Sequence, residues 1–261
     1  MDIKIESLYF GYDGNCILKD INLEFKNGNM YALLGRNGSG KTTLIKLILG
    51  LLNFNQGVIT LDGKDIKSIT IRDLSKLIAY VPQSEEGSYD IKVIELVVMG
   101  RNPYLNLFDI PSGEDYKLAE QALESLGIKH LSQKAYFQIS GGEKQLTLIA
   151  RALVQNTKFI IMDEPISNLD IKNQHEVLNK IKNISQELSI GVVLSLHDAN
   201  LAERYCSEAV LLKKGEIISQ GKTHEVLCEE SLENIYETSF EILKSKEGFN
   251  YFISSRYNSD R

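Results

Sequence analysis

The chain has 261 residues, of which 43% are apolar and 25% charged, enough for a substantial core beneath a polar surface. Its formal net charge of −6 gives no support to a nucleic-acid partner, which would require a basic face. Cys16, Cys206 and Cys228 are odd in number and far apart with no CxxC pair. They read as reduced cysteines used as small hydrophobes in a cytosolic protein, not as a disulfide framework or a metal site.

Met1-Asp2-Ile3-Lys4 leads straight into a strand-like pattern, with no targeting segment in view. Ile3 and Ile5, then Leu8, Phe10 and Tyr12, alternate, as do Ile21, Leu23 and Phe25, so two half-buried strands are expected around the turn-rich Gly11-Tyr12-Asp13-Gly14-Asn15. Met30 to Leu34 is apolar without alternation, the pattern of a strand buried on both faces. A glycine-rich loop and a helix from about Lys41 follow. The greasiest stretch, Leu44 to Leu52, carries Lys46 and falls well short of the ~20 apolar residues a membrane span needs. Any membrane role is therefore expected from a separate chain.

Val58 to Leu61 and Leu77 to Val81 read as short strands, the second leading into Pro82-Gln83. From about Asp90 to Val154 the spacing turns helical, with Gly127 as the stop of a helix over Tyr116 to Leu126. Phe159 to Met162 and Val192 to Leu196 are again buried strands, with a helix from about Lys172 to Leu188 between them. Val210 to Leu212 and Glu216 to Ile218 form a hairpin about Lys213-Lys214-Gly215. Beyond Ser239 no pattern is evident.

Gly35-Arg36-Asn37-Gly38-Ser39-Gly40-Lys41-Thr42, with Thr43 behind it, matches G-x-x-x-x-G-K-[ST] between a buried strand and a helix. Glycines let the loop curl so that successive N–H groups point inward at phosphate oxygens, and the following helix aims its positive end at the same place. Lys41 adds a mobile charge for the β- and γ-phosphates, and the Thr42 hydroxyl can ligate Mg2+. Downstream, Phe159-Ile160-Ile161-Met162-Asp163-Glu164 sets two carboxylates at the end of a buried strand. Asp163 is placed to organise a Mg2+ shell and Glu164 to polarise a water for attack on the γ-phosphate.

Ser140-Gly141-Gly142-Glu143 opens a helix whose Leu146, Ile149, Ala150, Leu153 and Val154 share a face. A capping box, Ser140 at the N-cap and Glu143 three residues on, accounts for the ends of this motif. It does not account for two glycines in a first turn, where alanine is the better helix former. Bare N–H groups at a helix N-terminus form an anion site. A second anion site about a hundred residues from the first makes sense if each chain completes its partner's ATP site.

This ordered set resembles the ATP-binding cassette (ABC) family over roughly residues 1 to 225: the P-loop, Gln83 after a strand, Ser140-Gly141-Gly142, Phe159 to Glu164, Ser167-Asn168-Leu169-Asp170, and His197 after a strand. The resemblance implies an α/β fold, a P-loop NTPase core with a mixed sheet, an N-terminal antiparallel β-subdomain and an inserted helical signature subdomain. It implies one nucleotide-binding domain, with an ATPase core at about 1–88 and 155–225, the helical subdomain at about 89–154 and a tail at 226–261. It further implies that Tyr12 stacks on adenine, that Gln83 joins Thr42 at Mg2+ and senses the membrane subunit, and that Ser140, Gly141 and Gly142 bind the γ-phosphate of ATP held by a second chain. Asp170 would couple the two sites and His197 would contact the γ-phosphate, with Glu164 and Lys41 completing the catalytic set.

Glu143 stands where the family's signature usually has Gln, Leu146 where Arg is frequent, and Ile166 where Thr is usual. Val93 to Tyr104 and Asn168 to Leu178 are similar to ATPases of importers for ferric siderophores, haem or cobalamin, some relatives taking molybdate or tungstate. The expected activity is ATP hydrolysis by a homodimer at the cytoplasmic face of the membrane. Its partners would be integral membrane permease subunits and, indirectly, a substrate-binding protein. An exporter subunit or a non-transport cassette ATPase is the alternative. A chromosome or DNA-repair ATPase would need a long coiled coil between Gln83 and Ser140, where 56 residues lie. A P-loop kinase or GTPase would lack the second anion site.

Overall fold

A computed structural model of the chain describes residues 1–12, 14–83, 90–246 and 248–254. In chain order the elements are β1 (Asp2–Tyr12), β2 (Asn15–Lys26), β3 (Met30–Leu34), α1 (Lys41–Ile48), β4 (Gln56–Leu61), β5 (Lys64–Asp65), α2 (Ile71–Leu74), β6 (Ile78–Val81), α3 (Val93–Val98), α4 (Gly113–Ser125) and α5 (Gly141–Val154). They continue with β7 (Phe159–Met162), α6 (Ile171–Leu188), β8 (Gly191–Leu196), α7 (Ala199–Tyr205), β9 (Glu208–Lys213), β10 (Glu216–Lys222), α8 (Thr223–Val226), α9 (Glu229–Tyr236), β11 (Phe240–Lys244) and β12 (Asn250–Ser254). The chain divides into two compact units, Met1–Ser68 with Gly191–Arg261, and Ile69–Ile190. Asp13 of the expected first turn and the expected boundary at 88/89 lie outside the described residues.

In the first unit an antiparallel sheet runs β2-β1-β4-β5. The apolar pattern of β1 slips by one residue between Ile5 and Leu8, and the register slips with it. Ser7 takes φ 43° there and Asp20 takes φ 46° in β2, so a bulge in each strand offsets the other. The Asn22 side chain links the two: its Oδ1 accepts from Ser7 N–H at 2.9 Å and its Nδ2 donates to the Asp20 carbonyl at 3.0 Å. Ile3, Ile5, Leu8, Leu18 and Ile21 thereby all reach the core.

The same unit holds a mixed sheet in the order β10-β9-β3-β8, with β3 parallel to both β8 and β9 and β10 antiparallel to β9. Every residue of β3 and β8 is buried, which is why neither alternates in sequence. The hairpin turn at Lys214 and Gly215 uses φ 47° and 81°, the left-handed pair that matches strand twist. The tail, for which no pattern was expected, folds as the hairpin β11–β12. Its Phe252 is 5% exposed, and Leu243, Tyr251 and Ile253 face outward.

In the second unit β6 and β7 pair in parallel, and all four residues of β7 are buried. The stretch expected to be helical contains α3, α4 and α5, and α4 stops at Gly127, whose φ is 69°. Leu146, Ile149, Ala150 and Val154 of α5 are buried, and Leu153 only partly so. The α3–α4 connection is fixed by Arg101, whose Nε meets Asp115 at 2.9 Å while Nη1 donates to the Val154 carbonyl at 3.1 Å. Asp115 also closes a capping box on Ser112 at the start of α4.

The Ser112 hydroxyl and backbone N–H, then Arg101, hold the Asp115 carboxyl down at about 2, against an ordinary value of 3.8. A lowered carboxyl pKa gives stability that is full above 3.8 and lost as pH falls through about 2. Asp115→Asn is expected to cost about 2 kcal/mol at neutral pH. The difference from wild type should shrink toward zero as urea melts are taken from pH 4 down to pH 2; a constant difference would count against this account.

Candidate functional site

The first unit carries the phosphate loop. Gly35 closes β3 and Gly40, at φ 109°, is the N-cap of α1 without any side-chain cap. A Cβ on Gly35 would lie 2.2 Å from the Leu212 carbonyl oxygen, which bars a side chain, and one on Gly40 would crowd a Leu18 methyl at 2.7 Å in a left-handed conformation that disfavours any side chain. Lys41 is 5% exposed, and its Nζ donates to the Gly35 carbonyl at 2.7 Å and the Arg36 carbonyl at 3.3 Å. Ser39 Oγ is buried with no hydrogen-bond partner among the described residues. Asn37 and Gly38 are exposed at the tip of the loop, Thr42 is exposed and Thr43 half-buried on the first turn of α1. A loop tightly packed at both ends, with an orphan hydroxyl and a lysine folded over its carbonyls, fits a polyphosphate ligand.

Tyr12, 45% exposed, ends β1 with its ring edge-on to Phe10 at 4.9 Å. His197 follows β8 and is exposed, with its carbonyl accepting from the Tyr236 hydroxyl at 2.8 Å. A cavity of about 300 Å3 lies against Arg36 to Ser39 and is walled by Lys213, Lys214, Ile235 and Glu237. Glu237 pairs with Arg36 and lies 3.6 Å from Lys213.

The second unit carries the acids. Asp163 is 3% exposed just beyond β7, its N–H bonded to the Val81 carbonyl. Burial, then the Asp163 charge, pushes the Tyr80 phenol up to about 12. Glu164 is held at φ 48°, a costly conformation for a non-glycine residue that aims its carboxylate differently from its neighbour's. Gln83 Nε2 donates to Glu164 Oε2 at 2.6 Å across 81 residues of sequence. A cavity of about 150 Å3 brings Gln83 and Glu164 together with Gly141, Lys144 and Ser167 to Leu169.

Ser140 caps α5 as expected, with the Glu143 carboxylate accepting from both the Ser140 N–H and its hydroxyl at 2.8 Å. Those two bonds hold the Glu143 carboxyl below its usual range. A Cβ on Gly142 would lie 3.2 Å from the Asn173 side chain, whereas one on Gly141 would meet only Leu169, at 3.8 Å. Packing within the chain thus crowds the second glycine and places no such demand on the first. Asp170 caps α6, its Oδ1 accepting from Asn173 N–H at 2.8 Å.

A family model described as ABC transporter matches residues 18–167. The chain belongs to that family. An uncharacterised ABC transporter ATP-binding protein of Haemophilus influenzae is 40% identical over 93% of this cassette and 92% of its own length. A hemin import ATP-binding protein of Bordetella avium is 34% identical over 93% of the cassette and 95% of its own length. Among solved structures, an ABC transporter of the metal-chelate type in an inward-facing conformation superposes with a TM-score of 0.87 at 32% identity, covering 98% of each chain.

Two of the cassette's three departures from the usual motifs serve the core, and the third, Glu143, serves the cap of α5. Leu146 and Ile166, at positions often polar in the family, are 7% and 6% exposed and serve packing. The cysteines correct the expectation of three small hydrophobes: Cys206 is buried, whereas Cys16 and Cys228 are exposed. Tyr236, Glu237 and Asn200 were not singled out from the sequence. Each meets a partner 39 or more residues away, so no local spacing announces it. No described helix is long and apolar enough to cross a membrane.

Proposed function

We propose that this cassette hydrolyses ATP as a homodimer at the cytoplasmic face of a membrane, driving permease subunits that import a metal chelate such as an iron complex, haem or cobalamin. A substrate-binding protein would act indirectly, by delivering cargo to the permease. The observation that carries the dimeric reading is Gly141, a bare backbone in a first helical turn that the chain's own packing does not require. A backbone left bare there suits an anion brought by a second copy. The cargo reading rests on the hemin import relative and on the metal-chelate-type structure, which covers 98% of this chain.

In this mechanism Tyr12 stacks on the adenine, and the N–H groups from Gly35 to Thr43 cradle the phosphates. Lys41 leaves the carbonyls of its own loop for the β- and γ-phosphates, the more favourable acceptors because they are charged. Thr42, Gln83 and Asp163 are the oxygen donors suited to Mg2+. The ion, when bound, neutralises charge on the β- and γ-oxygens. Glu164 accepts the proton of the attacking water, His197 donates to the γ-phosphate, and Asp170 orients the segment facing the partner. Gln83 engages the Glu164 carboxylate in the free chain, so movement of Gln83 by the permease would release the base.

Glu164→Gln is expected to retain ATP binding and lower turnover by ~10²–10⁴, the range for a lost general base. Undiminished turnover would remove Glu164 from that role. A second test uses the Ser140 hydroxyl, which is donated to Glu143 in the free chain and would have to turn to the γ-phosphate of the partner's ATP. Glu143→Gln keeps the cap and removes a negative charge from the helix N-terminus, so ATP-driven dimerisation should have its midpoint at about two- to fivefold lower ATP. Sedimentation in the Glu164→Gln background reads this, and an unchanged or higher midpoint would contradict the shared site.

A further inference from the structure

The C-terminal segment reaches back to two parts of the phosphate site. At the end of α9 the Tyr236 hydroxyl donates to the His197 carbonyl at 2.8 Å, and Glu237 pairs with Arg36, the second residue of the phosphate loop. Just upstream, Asn234 accepts from Lys213 Nζ through its carbonyl at 2.6 Å and its side chain at 3.0 Å. Beyond α9, β12 is fastened to α7 by a reciprocal pair: Asn200 Nδ2 donates to the Phe252 carbonyl at 3.2 Å, and Phe252 N–H donates to Asn200 Oδ1 at 2.8 Å. His197 therefore sits between a buried strand, β8, and a helix, α7, with its own backbone oxygen held from α9.

These contacts are unequal. Arg36 and Glu237 are 56% and 48% exposed in their side chains, and a pair so open to water contributes little. The Tyr236 phenol is half-buried, and burial together with the Asp198 charge pushes its ionisation above the ordinary range, so it stays a hydrogen-bond donor. A phenol offers one directed donor on a rigid ring, packed here against Phe240 with centroids 5.8 Å apart. His197 lies one residue past the end of β8, and its carbonyl accepts the bond from this phenol.

We propose that Tyr236 is a positioning residue for ATP hydrolysis: its hydroxyl sets the orientation of the His197 peptide, and through it the imidazole that meets the γ-phosphate. This rests on the assignment of His197 given above. Tyr236 acts through the backbone to which His197 is attached, and α9 with its hairpin is the brace that holds it there. A small misplacement of a group contacting the transferred phosphoryl is felt in the chemical step more than in ground-state binding.

The test compares four forms of the full chain assembled with its membrane subunits: wild type, Tyr236→Phe, His197→Ala, and the double variant. Tyr236→Phe removes one oxygen and keeps the ring, and a thermal melt verifies that the fold is retained. The expected result is kcat lowered about fivefold, the worth of one hydrogen bond, with KM for ATP unchanged. In the His197→Ala background the same substitution should change kcat by less than about twofold, because the group it positions is gone. An equal loss in both backgrounds, a change confined to KM, or no change in kcat would each overturn the proposal. Full turnover by His197→Ala itself would instead refute the role assigned to His197, a separate outcome read from the same experiment.

Discussion

A polyphosphate can be held by backbone N–H groups only if the backbone comes closer than any side chain permits. Gly35 and Gly40 sit where a Cβ would strike Leu212 or Leu18, so the two ends of the loop are pressed against their own unit. That close fit depends in turn on β3, flanked on both sides by parallel strands and buried along its whole length, which fixes where the loop begins. The helix that follows starts without a side-chain cap, leaving its first N–H groups available. Lys41 is buried at the same point, and its ammonium is made tolerable by two loop carbonyls. The scaffold and the ligand site are thus one construction.

The second unit solves a different problem, how to present two adjacent carboxylates to different tasks. Successive residues of a strand point to opposite sides, and the strand ends at Met162. Asp163 continues its bonding toward β6 and stays buried, whereas Glu164 turns to φ 48° and swings toward Gln83 and the cavity beside Gly141. The positive φ is the cost of that turn, sustained by a strand that packs on both faces.

Much of this was legible in advance because the signals are local. Buried strands announce themselves as unbroken apolar runs, the phosphate loop as spaced glycines, and the cap at Ser140 as a serine three residues before a glutamate. The phase slip after Ile5 was present in the sequence as a broken alternation, and the structure shows it to be a bulge matched by another at Asp20. The C-terminal hairpin escaped notice because its strands are five residues each and its outward face carries Leu243, Tyr251 and Ile253, so neither a long run nor a clean alternation marks it. Tyr236, Glu237 and Asn200 escaped for another reason. Their partners are brought near only by the completed fold, and a tyrosine bonded to a carbonyl carries no spacing signature. The cysteines misled because composition ranks residue types by average burial, while Cys16 and Cys228 lie on a strand edge and at a helix start.

A common arrangement runs through the reactive groups. Each is satisfied inside the free chain by a neighbour that it would have to leave: Lys41 by its loop carbonyls, Ser140 by Glu143, Glu164 by Gln83. Unsatisfied, such groups would cost about 1–3 kcal/mol apiece where buried. Satisfied by a contact of net worth about 1 kcal/mol, they can exchange it for a nucleotide or a partner chain at little cost. The apolar core is held by burial, which does not exchange, and these polar groups by one or two hydrogen bonds each, which do. On the proposed cycle of closing on ATP and reopening after hydrolysis, groups held by exchangeable bonds could complete it, whereas groups locked as firmly as the core could not.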